Sequence, residues 1–180
     1  MRPLTTAETE VLFAKLAKYI GRNISQLTDK PADPHLFRVH RERVYYVREE
    51  IAKKAEHIPR DNLLALGSCL GKFTKTGKFK MHITALDYIA PYAKFKVWLK
   101  STGETTFLYG GHVIKAHLAK MTEDTPEHQG IIVYSSNDIP LGFAVTSRSS
   151  IDCLKLDPTG ICCFNQADVG EYLRNEASLV

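Results

Sequence analysis

No run of apolar residues in this 180-residue chain approaches the length of about 20 that a membrane-spanning helix needs. The first residues, Met-Arg-Pro-Leu-Thr-Thr, carry no signal-peptide core, so export is not expected. Tryptophan occurs once and cysteine four times, and Cys69, Cys153, Cys162 and Cys163 form no C-x-x-C pair. Adjacent Cys162 and Cys163 lie inside the apolar run Gly160 to Phe164. That points to buried, reduced thiols in a reducing compartment, and away from a disulfide frame or a zinc site. Internal repeats and low-complexity tracts are also missing. What remains is an ordinary globular composition, with enough chain for one good core or two small ones.

Another absence is local. No carboxylate lies between Asp61 and Asp87, yet this stretch holds Lys72, Lys75, Lys78 and Lys80. Within it, Phe79, Met81, Ile83 and Ala85 alternate with Lys78, Lys80, His82 and Thr84. Period two predicts a strand over Lys78 to Leu86 with one buried face and one basic face. A second basic set, Arg38, His40, Arg41 and Arg43, accompanies Tyr45 and Tyr46 on an expected hairpin. If both sets share a sheet, Arg38, Arg43, Lys72, Lys75, Lys78 and Lys80 form one footprint for a phosphate backbone. Residues 1–93 hold 16 Lys and Arg against 10 Asp and Glu, whereas residues 94–180 hold 8 against 10. That asymmetry predicts two modules with different surfaces.

The N-terminal module reads as α+β. Thr5 to Glu8 fits a capping box, and Leu12, Leu16 and Ile20, with Phe13 and Ala17 beside them, give a helix one apolar face before Gly21 stops it. A Pro- and Asp-rich break covers Asp29 to Pro34. Leu36–His40 and Arg43–Val47 predict the hairpin, with Phe37 and Val39 inward and Arg38 and His40 outward. A short helix over residues 48–57 and strands at Leu63–Phe73 and Lys78–Leu86 follow. The stretch Asp87 to Ala93, with Pro91 in it, is the expected junction. Beyond it, strands at Phe95–Leu99, Gln129–Tyr134, Pro140–Val145 and Gly160–Phe164, joined by Gly-containing and polar turns, predict a small, mostly β barrel.

Catalytic motifs fail on their context. Gly67-Ser68-Cys69-Leu70-Gly71 matches a nucleophile elbow, but Lys72 to Lys75 reads as strand and turn where a helix must follow. Gly71 to Lys78 has one residue too many between its glycines for a phosphate loop, and no Ser or Thr follows Lys78. His35 with His40, and His112 with His117, lack Cys partners or an H-E-x-x-H frame, so no metal site is expected. No pair of carboxylates stands out for acid–base work.

Phe107-Leu108-Tyr109-Gly110-Gly111-His112-Val113-Ile114, then His128 to Tyr134, then Ile139 to Val145 resemble a PUA domain, the small RNA-binding pseudo-barrel of pseudouridine synthases and archaeosine transglycosylases. Met1 to Thr5, Lys18 to Gly21, Arg43 to Val47, Gly71 to Thr76, Thr84 to Lys94 and Gln166 to Arg174 narrow the resemblance to the Nip-seven family of ribosome-biogenesis factors, over essentially the whole chain. The resemblance implies an α/β N-terminal domain at 1–93 and a C-terminal PUA domain at 94–180. It implies no enzyme activity and no cofactor. It also implies a monomeric, nuclear and nucleolar factor for pre-rRNA processing and large (60S) subunit assembly. The expected partners are pre-rRNA, uridine-rich RNA, other assembly factors and the pre-60S particle, with no membrane. Lys115, Lys120, Arg148 and Lys155 are the expected RNA contacts of the PUA domain. Archaeal relatives carry a dense Arg/Lys cluster where this chain has only Arg148 and Lys155, with Ile151, Cys153 and Leu154 between them. The alternative is therefore an adaptor between proteins whose PUA domain has little RNA affinity of its own.

Overall fold

The computed structural model describes residues 1–180 apart from Lys30, Ala32, Arg60 and Val180. The first helix, Thr6–Ile20, begins with the expected capping box. Thr5 Oγ1 accepts from the Glu8 amide at 3.3 Å, and Glu8 Oε2 accepts from the Thr5 amide at 2.9 Å. Arg2 pairs with Glu8 at 2.6 Å, and that hydrogen bond holds the Glu8 carboxyl down at about 2. Leu12, Leu16 and Ile20 are buried as the spacing predicts. Ala17, expected beside them, is exposed, and Tyr19 takes the fourth buried position. Gly21 ends the helix at φ 59°, a conformation that costs glycine little. The break read at Asp29–Pro34 includes Lys30 and Ala32, which lie outside the described residues.

Five antiparallel strands follow in sheet order: β1 (Arg2–Pro3), β2 (His35–His40), β3 (Arg43–Arg48), β4 (Ser68–Phe73) and β5 (Phe79–Met81). The β2–β3 hairpin and the helix Glu49–Lys54 are where the pattern predicts them. Three expectations need correction. His40 is buried, not outward. The strand expected from Leu63 begins only at Ser68. The strand expected to run to Leu86 stops at Met81, where the chain turns through a 3-10 turn, Ile83–Ala85, into the helix Leu86–Ile89. The physical reason is burial. Ile83, Ala85, Leu86 and Ile89 all reach the core, which a turn and a helix can satisfy and a continued strand cannot. The His82 amide donates to the Leu70 carbonyl at 2.9 Å, and the Thr84 hydroxyl donates to the Cys69 carbonyl, pinning the turn to β4. His82 is consequently buried.

The second sheet holds β6 (Lys96–Leu99), β7 (Val113–Ile114), β8 (Leu118–Met121), β9 (Gly130–Tyr134), β10 (Pro140–Thr146) and β11 (Ile161–Asp168), in the order β7-β11-β10-β9-β6-β8. Among the described residues, only β6 with β9 is parallel. The sheet curls into a nearly closed barrel around Val97, Leu99, Phe107, Ile131, Val133 and the buried free thiols of Cys162 and Cys163. A helix the pattern did not disclose, Ser101–Leu108, packs Phe107 into that core.

The two sheets share a core. Strand β9 is buried along its whole length, Ile131 and Val133 facing the barrel while Ile132 and Tyr134 join Leu12, Leu16, Tyr19 and Ile89 on the other side. Tyr19 packs edge-on against Phe143 of β10, with ring centroids 5.5 Å apart. The Tyr134 hydroxyl donates to the Ala90 carbonyl at 2.9 Å, and the Lys94 amide to the Tyr19 carbonyl at 2.9 Å. Asp87 to Ala93 is thus a packed helix and turn rather than a loose tether. Gly130 lies so close to the first helix that a Cβ there would stand 2.9 Å from both the Lys18 carbonyl and the Tyr19 ring. Gly130→Val is expected to lower stability by about 1–3 kcal/mol, read from chemical denaturation followed at Trp98. An unchanged midpoint would mean that this close approach carries no packing load.

Candidate nucleic-acid interface

The register of the first sheet sets the candidate site. Arg43 pairs with Lys72, and Lys72 pairs with Lys80, so three cations stand opposite one another across β3, β4 and β5. Directly paired residues share a face, and like charges so placed repel by a few tenths to about 1 kcal/mol per pair. Of the six residues of the expected footprint, these three stand in direct cross-strand register. Lys75 and Lys78 sit on the exposed β4–β5 turn, where Gly77 adopts φ 74°. Among the described residues, Lys72, Lys75, Lys78 and Lys80 enter no ion pair within 4.0 Å. Arg38, on β2 beside Tyr45, lies toward the helix Glu49–Lys54, where it lines a groove with Leu36, Glu49 and Lys53.

Under the ladder lies a polar pair with no signature in the sequence, since its members are 13 residues apart. Cys69 Sγ is 3.9 Å from His82 Nδ1, and the Arg43 side chain hydrogen-bonds the thiol. Cys69 sits inside β4 with no helix after it, so the elbow geometry is absent. Burial raises the Cys69 thiol above its ordinary value, opposite to what a nucleophile needs. Burial, reinforced by Arg43, Lys72 and Lys80, pulls His82 down from 6.5 to about 4. Among the described residues no group of His, Cys, Asp and Glu is arranged to hold a metal.

The barrel presents its cations differently. Lys115 and Lys120 line one groove of about 450 Å³ together with Ile151 and Leu154. Lys115 Nζ donates to the carbonyls of Leu154 and Leu156 at 2.5 and 2.6 Å, closing the end of the helix Ser150–Lys155. Lys120 lies over the Trp98 ring, 5.2 Å from its centroid. Arg148 is exposed just before the helix. Lys155 faces Asp152 at 3.6 Å, a surface pair of little energetic weight. The four expected PUA contacts are thus spread around one helix whose outer side is apolar, with Ile151 60% and Leu154 68% exposed. The sequence pattern also did not disclose an aromatic set in which Trp98 stacks on Tyr134, Lys96 lies over Tyr134, and the Trp98 indole donates to Asp138.

An antiparallel sheet with flanking helices, fused to a PUA-type barrel and bearing a cationic ladder, defines a two-domain protein of the PUA class. Residues 95–177 match the UPF0113 PUA domain, and residues 1–83 match the NIP7/UPF0113 pre-PUA domain. The chain is 60% identical to the 60S ribosome subunit biogenesis protein nip7 of Schizosaccharomyces pombe, and 58% identical to the NIP7 homolog of Xenopus tropicalis. Each match covers 99% of both chains. The chain belongs to the NIP7 family. Its fold is also that of a PUA-domain protein from Aeropyrum pernix, with a TM-score of 0.63 at 12% identity over 99% of this chain and 90% of that one.

The depressed His82 value has a definite sign. The unfolded chain takes up this proton near 6.5 and the folded chain only near 4, so protonation favours unfolding. The His82 contribution to stability is constant above 6.5, falls as pH drops from 6.5 to 4, and is lower by about 3 kcal/mol below that range. His82→Asn is expected to lose less stability than the wild type between pH 7 and pH 4, measured by urea melts at each pH (range set by the His82 shift).

Proposed function

We propose that this chain is a non-catalytic RNA-binding assembly factor for large (60S) ribosomal subunit biogenesis, acting in pre-rRNA processing in the nucleus and nucleolus. The relatives at 58–60% identity, named for that subunit's biogenesis, and the matched PUA domain support this reading. The observation that carries RNA binding is the ladder of Arg43, Lys72 and Lys80. Three opposed cations on one sheet face cost folding energy and are relieved by a polyanion. We divide the chain into an N-terminal domain at 1–93 and a PUA domain at 94–180. The first supplies the main phosphate contacts through Arg43, Lys72, Lys75, Lys78 and Lys80. Lys120, Arg148 and Lys155 add contacts on the second, and Lys115 braces the helix beside them. Uridine-rich single strands within pre-rRNA are the expected ligand, and other assembly factors of the pre-60S particle the expected protein partners.

A second reading draws on the exposed Ile151 and Leu154 beside an open groove. Such a surface suits a protein partner, with the chain acting as an adaptor. Affinity for a uridine-rich RNA, measured against salt, separates the two. Removing one cation that neutralises a phosphate should flatten the log–log slope by roughly 0.7 for a single strand. Lys72→Ala/Lys80→Ala is expected to flatten it more than Arg148→Ala/Lys155→Ala does. If the wild type shows no binding at low salt, the adaptor reading replaces the RNA-binding one.

A further inference from the structure

The ladder does not end at the sheet. Its last member, Lys80, also lines a cleft of about 130 Å³ between the two folds. Lys15 of the first helix, Tyr19 below it, and Gln166 of β11 line the same cleft over an apolar floor that includes Phe79 and Phe143. Tyr19 is 1% exposed, and its hydroxyl has no hydrogen-bond partner among the described residues. A buried hydroxyl left without a partner is destabilising, so a folded chain that keeps one invites an explanation. Phenylalanine would fill the same space without the cost. Lys15 is half-buried against the same ring, with Nζ 5.8 Å from its centroid. Burial and neighbouring Lys18 both disfavour its charge, so it too gains from an anion. Glu171 feels the charge of Lys80, yet no ion pair joins them among the described residues.

We propose that this interdomain cleft binds one phosphate of the RNA backbone, with the Tyr19 hydroxyl and the Lys15 and Lys80 ammonium groups as donors and Gln166 as the contact from the barrel. The inference rests on the RNA-binding reading above and extends it. The strand that crosses the Arg43–Lys72–Lys80 ladder enters the cleft at Lys80 and leaves over β11. The volume suits this ligand. One water needs about 10–15 Å³ on the same measure, so the cleft has room for a phosphate group. The chemistry agrees, since two cations and two neutral polar side chains surround the space above a greasy floor. The RNA thereby touches both folds at their joint.

Tyr19→Phe tests this in the full-length protein, because it removes the hydroxyl and nothing else. Affinity for a uridine-rich single strand of about 15 nucleotides is expected to fall about tenfold, the loss of one hydrogen bond to a charged group. The melting midpoint should hold or rise, and the salt slope should not change, because tyrosine carries no charge. Lys15→Ala should weaken binding and flatten the slope by roughly 0.7, and Lys15→Arg should restore it. Lys72→Ala, outside the cleft, reports on the ladder alone. If Lys72→Ala weakens binding while Tyr19→Phe and Lys15→Ala leave it unchanged, the cleft assignment fails and the ladder reading stands. If the wild type binds no RNA, both fail. Inorganic phosphate supplies the last arm. If it raises the wild-type midpoint but not that of Tyr19→Phe, while RNA affinity is the same for both, the cleft holds a free anion and the RNA path is overturned.

Discussion

Strand β9 is the constraint on which the rest of the molecule depends. Its five residues, Gly130 to Tyr134, are buried on both faces, so alternate side chains serve two cores at once. Ile131 and Val133 fill the barrel, and Ile132 and Tyr134 receive the first helix and the turn at Ala90. Each such side chain contributes about 1.5–3 kcal/mol by leaving water, and here both folds draw on the same strand. Gly130 permits the arrangement, since a Cβ there would stand only 2.9 Å from the Lys18 carbonyl oxygen. Gln129 adds a hydrogen bond to that same carbonyl, and Asn23 bonds the Tyr92 carbonyl at 3.0 Å. The joint between the folds is therefore interior rather than hinge, and the two surfaces keep one fixed relation.

That rigidity gives the charge distribution its meaning. A surplus of positive charge in residues 1–93 and a slight deficit in 94–180 would matter little in domains that tumble apart. With the joint fixed, the Arg43–Lys72–Lys80 ladder points along the sheet toward the barrel and ends at the cleft between them. Repulsion within the ladder, together with a buried His82 kept neutral, marks a sheet face arranged at some expense to its own stability. Such compromises gather at binding surfaces, because the interaction that offsets them comes from the ligand.

How much of this was legible in the sequence depends on the kind of signal. The first helix carried its own cap and spacing, and the β2–β3 hairpin its alternation, so local chemistry disclosed both. The pattern from Phe79 to Ala85 misled because alternation continued past Met81 into a 3-10 turn, where burial alone kept the apolar residues in step. The helix Ser101–Leu108 was hidden by Gly103 and three threonines, which lower helix propensity and weaken its periodicity. The apolar run Gly130 to Tyr134 read correctly as a strand. That its second face belonged to the other fold is a long-range fact with no local signature. The basic residues of the site were visible one by one. Their opposition across three strands depended on register, and β3 and β4 shift register between Val44 and Tyr45.

The far side of the barrel shows the same economy of fixed positions. Asp168 at the end of β11 is buried, and its carboxylate accepts from both the Arg174 guanidinium and the Gly170 amide, while Asn165 reaches it at 3.2 Å. Arg174 also donates to the Leu108 carbonyl, and Asn165 to those of Phe107 and Gly111. One buried charge thus ties the short helix Glu171–Arg174, the end of the helix Ser101–Leu108 and the glycine turn together. Elsewhere in the interior, burial raises the Cys69 thiol and keeps His82 neutral. The proposed RNA contacts depend on such fixed positions, because each phosphate contact contributes only if its donors already stand where the next phosphate will fall.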